Sequence, residues 1–195
     1  MSTQNSLIPP LRYCTIQPNL YRGAYPRELN YKFLESLQLK MIISMTPDAI
    51  TEETDAKFYH WARKNNIRLV HIPSAKSGKG KKRGVPLGYT SIVGAIELIL
   101  DSDNSPIYLH CLNGGQVTSL AVACLRKLSF WSTVSIFNEF ISYASDISVA
   151  DRSFVESFVA EIHVPKRKVA WIWLGMSRGV VGNHPTLRFY ESEVK

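Results

Sequence analysis

Three short apolar runs constrain this chain most: KMIISM at 40–45, RLVHIP at 68–73 and IYLHC at 107–111, each followed by a stretch of helical periodicity. Their length and β-branched content suit buried strands. Strands alternating with helices predict a mostly parallel sheet covered on both faces, a three-layer α/β sandwich. In such sheets ligands bind beyond the carboxyl ends of the strands, which is where His110 and Cys111 fall.

The remaining elements follow from local chemistry. Residues 13–22 read as two short extended pieces turned at Gln17-Pro18-Asn19. Asn30 is placed to cap a helix with Phe33, Leu34 and Leu37 on one face, and Thr51 to cap a second, whose early carboxylates and late Arg63 and Lys64 suit its dipole. A third helix carries Ile92, Ile96, Ile99 and Leu100 as its apolar stripe. The stretch 116–128 is apolar nearly all round and predicts a central helix; Val134, Phe137, Ile141 and Ala144 mark the stripe of the next. Asp151 opens a last helix running to about Ile162. Trp171 and Trp173 alternate as in a strand or a docking segment; an exposed pair would favour a protein interface, and packing back on the sheet is at least as well founded.

With 195 residues, 45% of them hydrophobic, the chain suits a single core. We expect a domain over 13–162, a tail at 1–12 and an extension at 163–195. No apolar run approaches a membrane span and the N-terminus is polar, so neither membrane insertion nor export is expected and a cytoplasmic protein is favoured. Three cysteines and five scattered histidines make no metal-ligand spacing, and neither a metal nor any other cofactor is expected. A net charge of +7 suits anionic partners without choosing among nucleic acid, lipid and phosphorylated metabolites.

The stretch IYLHCLNGGQVTSL sharpens that choice. A cysteine at a strand end, then Leu112, Asn113, Gly114, Gly115 and Gln116, then a helix, can turn several backbone N–H groups and a positive helix end toward one anion. Taken alone, Cys111 also reads as a small apolar residue at a strand end.

Together with LYRGAYPRELNYKFLESLQLKMIISMTPD, NNIRLVHIP and CLRKLSFWSTVSIFNEFISYA followed by DRSFVESF, this stretch resembles the plant and fungal atypical dual-specificity phosphatases of the protein tyrosine phosphatase superfamily. That group includes enzymes acting on inositol pyrophosphates and the fungal oxidant-induced cell-cycle-arrest proteins, which this chain resembles most. The resemblance runs from about Tyr13 to Phe158 and implies the protein tyrosine phosphatase fold. It also implies association with related phosphatase-like proteins in a hetero-oligomeric complex.

The family motif is His-Cys, five residues, Arg, then Ser or Thr. His110, Cys111 as the nucleophile position, Gly114 and Thr118 match it; Val117 stands where the arginine belongs. In the family that arginine grips two phosphate oxygens and stabilises the transferring group. Losing one comparable donor costs on the order of 10²- to 10³-fold in rate. A general acid, which contributes about 10²- to 10⁴-fold, is also missing from the interval where it would be presented, since no Asp or Glu lies between Asp55 and Glu97. Some pyrophosphates have good leaving groups and need an acid less.

These departures point to an impaired phosphatase that binds phosphorylated ligands, or to a weak cysteine-dependent one acting on inositol pyrophosphates or phosphotyrosine. The loop AKSGKGKKRG reads as a solvated flexible loop, as a basic rim beside the turn with Lys76, Lys79 and Lys81 as candidate phosphate ligands, or as a nuclear-import or nucleic-acid patch. Phosphorylated metabolites are the expected small ligands, and neither nucleic acid nor membrane is. Arg22 and Arg27 match the family's N-terminal pattern and are read as structural, and Cys124 as core.

Overall fold

The computed structural model of the chain describes residues 6–75 and 84–191. Its main sheet has five strands in the order β1-β2-β5-β3-β4, with β1 at Cys14–Gln17, β2 at Leu20–Ala24, β3 at Met41–Ser44, β4 at Arg68–His71 and β5 at Ile107–Cys111. The β1 and β2 strands form an antiparallel hairpin, whereas β2, β5, β3 and β4 run parallel. Parallel strands put their carboxyl ends on one edge. The register there sets Ala24 beside Cys111 and both Gly23 and Ser44 beside His110.

Helices cover both faces, as the alternation of strands and helical stretches requires. The pleat sends successive side chains to opposite faces. Ile42 and Tyr108 pack with Leu34 of α1 (Tyr31–Ser36) and with Phe58 and Trp61 of α2 (Glu52–Lys64). Met41, Ile43, Ile107, Leu109 and Cys111 belong to the larger cluster formed with α3 (Tyr89–Leu100), α4 (Gln116–Leu128), α5 (Thr133–Ala144) and α6 (Val149–Glu156). Each fully buried Leu, Ile or Phe in these layers is worth about 1.5–3 kcal/mol. Buried along nearly its whole length, α4 is the central helix its all-round apolarity predicts. Thr51 caps α2 as expected, its hydroxyl accepting from Glu53 and Thr54 N–H.

Four sequence expectations need correction. The Asn30 side chain does not cap α1; it is buried and ties Arg27 N–H to the Ile8 carbonyl, a use its polarity serves equally well. On α5 the buried residues are Ile136, Phe137 and Phe140, while Val134 and Ile141 face solvent. Phe137 is buried and Ala144 packs against the core as expected, while packing against α4 puts Ile136 and Phe140 inward in place of Val134 and Ile141. The helix expected from Asp151 to Ile162 starts at Val149 behind a Ser148 cap and stops at Glu156. Beyond it Ala160–Val164 form a strand, β6, with Ile162 and Val164 inward and Glu161 and His163 outward.

The fourth concerns Trp171 and Trp173. Their segment is a turn, with Trp173 at φ 54° and Gly175 at φ 78°, and both rings pack against the core. The indole N–H of Trp173 donates to the Leu128 carbonyl at 2.9 Å. After α7 (Arg178–Gly182), β7 (Leu187–Glu191) pairs in parallel with β6 as a second, two-stranded sheet. The expected division at 162 therefore falls inside β6, and the described part of the extension shares the main core through Val169, Ile172 and Leu187. At the other end, Leu11 accepts from Ala24 N–H at 2.8 Å, which lays the described tail against β2.

Candidate functional site at the cysteine turn

Cys111 ends β5 at the carboxyl edge of the sheet. The chain then reverses through Gly114, whose φ of +67° lies in the left-handed region. A β-carbon there would stand 2.7 Å from the Gly23 carbonyl carbon and 2.8 Å from the Ala24 nitrogen, so only glycine fits. Gly23 is equally constrained, because a side chain would overlap the Tyr108 hydroxyl, which donates to the Ala24 carbonyl at 2.7 Å. The Leu112 carbonyl accepts from Tyr25 N–H at 3.3 Å. Together these contacts fix the turn to β2.

From Gly115 the chain enters α4, whose first position has no side-chain cap. First-turn N–H groups and the positive helix end therefore face the turn. A cavity of about 190 Å³ opens there, lined by Cys111, Leu112, Asn113, Gly115, Gln116 and Val117, with Arg12 at one side, Met45, Pro47, Ser74 and Ala75 beyond β3 and β4, and the end of α5. The expected loop residues are thus brought together, with Gly114 supplying the reversal and Leu112 turning its side chain to solvent.

Inside the turn, the Asn113 side chain takes up a backbone donor. Its Oδ1 accepts from Gly115 N–H at 2.9 Å and lies 3.7 Å from the Cys111 sulfur. Val117 is 7% exposed, lines the cavity and packs into the main core, offering it neither charge nor donor. The next basic residue on α4, Arg126, is held bidentately by Glu139, at 2.8 Å on both sides, with its guanidinium over Trp131. It does not serve the turn.

The other expected residues divide. His110 is fully buried and absent from the cavity lining; it sits among the Tyr25, Phe58 and Tyr108 rings with Nε2 2.7 Å from Ser44 Oγ. Burial pushes its pKa down to about 4, so it is neutral at physiological pH and braces the strand. The Thr118 hydroxyl is buried and, among the described residues, without a hydrogen-bond partner. Gln116 reaches Asp151 Oδ1 at 2.6 Å, while Asp151 Oδ2 accepts from the Ser148 amide and hydroxyl. No carboxylate lines the cavity among the described residues. Lys76, Lys79 and Lys81 lie outside the described residues. Among those described, no cluster of three or more His, Cys, Asp or Glu could hold a metal.

Two arginines reach the turn from the N-terminal side. Arg22, 1% exposed, donates from Nη2 to the Gly114 carbonyl at 3.0 Å and Ser119 Oγ at 2.8 Å, with its guanidinium 3.9 Å from the Tyr143 ring centroid. Its Nε and Nη1 are buried without partners among the described residues, and burial lowers its pKa to about 10. Arg12 donates from Nη1 to the Asn113 carbonyl at 2.8 Å and lines the cavity. The sequence marks Arg22 as structural and passes over Arg12 altogether; nothing in a linear motif signals a residue that enters through a turn of the tail.

A cysteine at the end of a central parallel strand, a glycine reversal pinned to the neighbouring strand and an uncapped helix define the class: an α/β domain of the cysteine-phosphatase fold. Residues 7–177 match the tyrosine phosphatase family, and the chain belongs to it. It is 43% identical over 180 residues to the tyrosine-phosphatase-like protein OCA6 of Saccharomyces cerevisiae, covering 86% of this chain and 80% of that protein. The inositol diphosphatase DSP4 of Arabidopsis thaliana is 30% identical, with 77% of this chain and 73% of that protein covered. Among solved structures, the core catalytic domain of the S. cerevisiae PP-IP phosphatase SIW14 in complex with citrate superposes with a TM-score of 0.68 at 29% identity, over 78% of this chain and 88% of that one.

Proposed function

We propose that this protein is a catalytically impaired member of its family, a phospholigand-binding pseudophosphatase that works as a subunit of an assembly with related phosphatase-like proteins in the cytoplasm. One observation carries the reading: the position that should grip the transferring phosphoryl group is a valine packed into the core. Without that arginine and without a general acid, the rate loss is about 10⁴- to 10⁷-fold if the two effects multiply. An anion site nevertheless persists in chemical terms. The cavity combines an uncapped helix start, a cation and no carboxylate among the described residues.

A second reading is a specialised phosphatase with Cys111 as nucleophile. The inositol diphosphatases among its relatives support it, because a pyrophosphate has a good leaving group and asks less of an acid. The two readings separate in one experiment, turnover of a panel of inositol pyrophosphates beside a Cys111→Ser control. The pseudophosphatase is expected to release no phosphate above that control. Release that disappears in Cys111→Ser would end the proposal and establish the enzyme.

A further inference from the structure

Val117 leaves the loop without its own cation, yet the cavity is not uncharged. Arg12 lines it from outside the loop. Its position is built by the backbone: Tyr13 N–H bonds to the Pro10 carbonyl at 3.1 Å, Arg12 sits in the left-handed region at φ 56°, and Ala24 N–H bonds to the Leu11 carbonyl at 2.8 Å. Ala24 pairs in register with Cys111, so this turn delivers residue 12 to the end of β5. Nη1 is then anchored on the Asn113 carbonyl. Among the described residues that is the guanidinium's single hydrogen bond, which leaves the other edge of a five-donor fork for a ligand.

A second cation lies behind the same turn, buried and outside the cavity lining. Arg22 is a buried cation bonded to the next loop carbonyl, Gly114, and two of its nitrogens have no acceptor among the described residues. Glu139, a carboxylate whose charge reaches Arg22, is already held bidentately by Arg126. A desolvated guanidinium with spare donors favours negative charge nearby. Two consecutive carbonyls of the turn are therefore each held by an arginine, and no carboxylate lines the cavity among the described residues.

We propose that Arg12 is the cation a bound phosphate group meets here, a guanidinium supplied by the N-terminal turn in place of the one absent at position 117. The inference rests on reading the cavity as a phospholigand site. It gives that site a different geometry from the family's. The fork approaches over Asn113, so it can orient a terminal phosphate, but it is not part of the loop that encloses the sulfur.

The test uses the full chain and inorganic phosphate as probe, following the Gly115 and Gln116 amide resonances during titration. The parent is expected to show saturable shifts, Arg12→Ala to bind about ten- to a hundredfold more weakly, as loss of a charged hydrogen bond implies, and Arg12→Lys to fall between. Val117→Arg in the Arg12→Ala background is expected to recover affinity without recovering any loss of melting temperature, which a merely structural Arg12 would not allow. Saturable binding unchanged in Arg12→Ala, or weakened equally in Arg12→Lys and not rescued by Val117→Arg, overturns the role of Arg12 while leaving the cavity reading intact. Absence of saturable shifts in the parent overturns the cavity reading and the inference with it.

Discussion

Replacing Gly114 by alanine tests how the cysteine turn is held. Two separate penalties apply. At φ +67° an alanine pays the left-handed cost of about 1–2 kcal/mol. Its β-carbon would also press on the backbone of Gly23 and Ala24 at 2.7–2.9 Å, contacts that no rotamer change relieves because the neighbours are main chain. Overpacking of that kind costs about 1–3 kcal/mol. The sum, about 2–5 kcal/mol, corresponds to roughly 4–20 °C of melting temperature for a chain of this size. Gly94 is the internal control: it lies within α3 with nothing within 4 Å of an added β-carbon, so Gly94→Ala should raise stability by about 0.5–1 kcal/mol. Calorimetric or circular-dichroism melts of both variants read the two signs. A Gly114→Ala protein that melts with the parent would refute the claim that the turn is pinned against β2.

Two further outcomes follow from buried groups near the turn. His110 titrates near 6.5 when unfolded and near 4 when folded, so on acidification the unfolded chain takes up its proton first; the stability present above about pH 6.5 is lost progressively toward pH 4. His110→Asn should flatten that part of the denaturation profile, and an unchanged slope would contradict a buried neutral imidazole. Thr118→Val replaces a buried hydroxyl that lacks a partner among the described residues with a methyl of the same shape, and should leave the midpoint of urea denaturation equal or higher. A clear loss would mean the hydroxyl is bonded after all.

Much of the fold was legible in the sequence because its signals are local. The apolar runs ending at Ser44, His71 and Cys111 and the stripes of α3 and α4 each state their own structure. So does the Thr51 cap. Where two local patterns compete, tertiary packing decides: Ile136 and Phe140 are no better spaced than Val134 and Ile141, and only the position of α4 selects them. The β6–β7 pair was illegible for a different reason, since Ala160–Val164 becomes a strand by meeting a partner more than twenty residues later. The site divides in the same way. Cys111, Gly114 and Val117 are fixed by spacing along the chain, whereas Arg12 reaches Asn113 across 101 residues through a left-handed turn.

Asn113 gives this turn a property that an open cradle would not have. With its carbonyl oxygen on the Gly115 amide and beside the sulfur, the side chain satisfies that donor from within the turn. On the phospholigand reading proposed above, association would be an exchange: an incoming oxyanion would compete with a tethered amide for the same donor, its apparent affinity scaled by the fraction of molecules in which that side chain has swung away. The residue would then be a built-in competitor for the ligand. On that same reading, it would favour ligands able to make several contacts at once over any lone small anion.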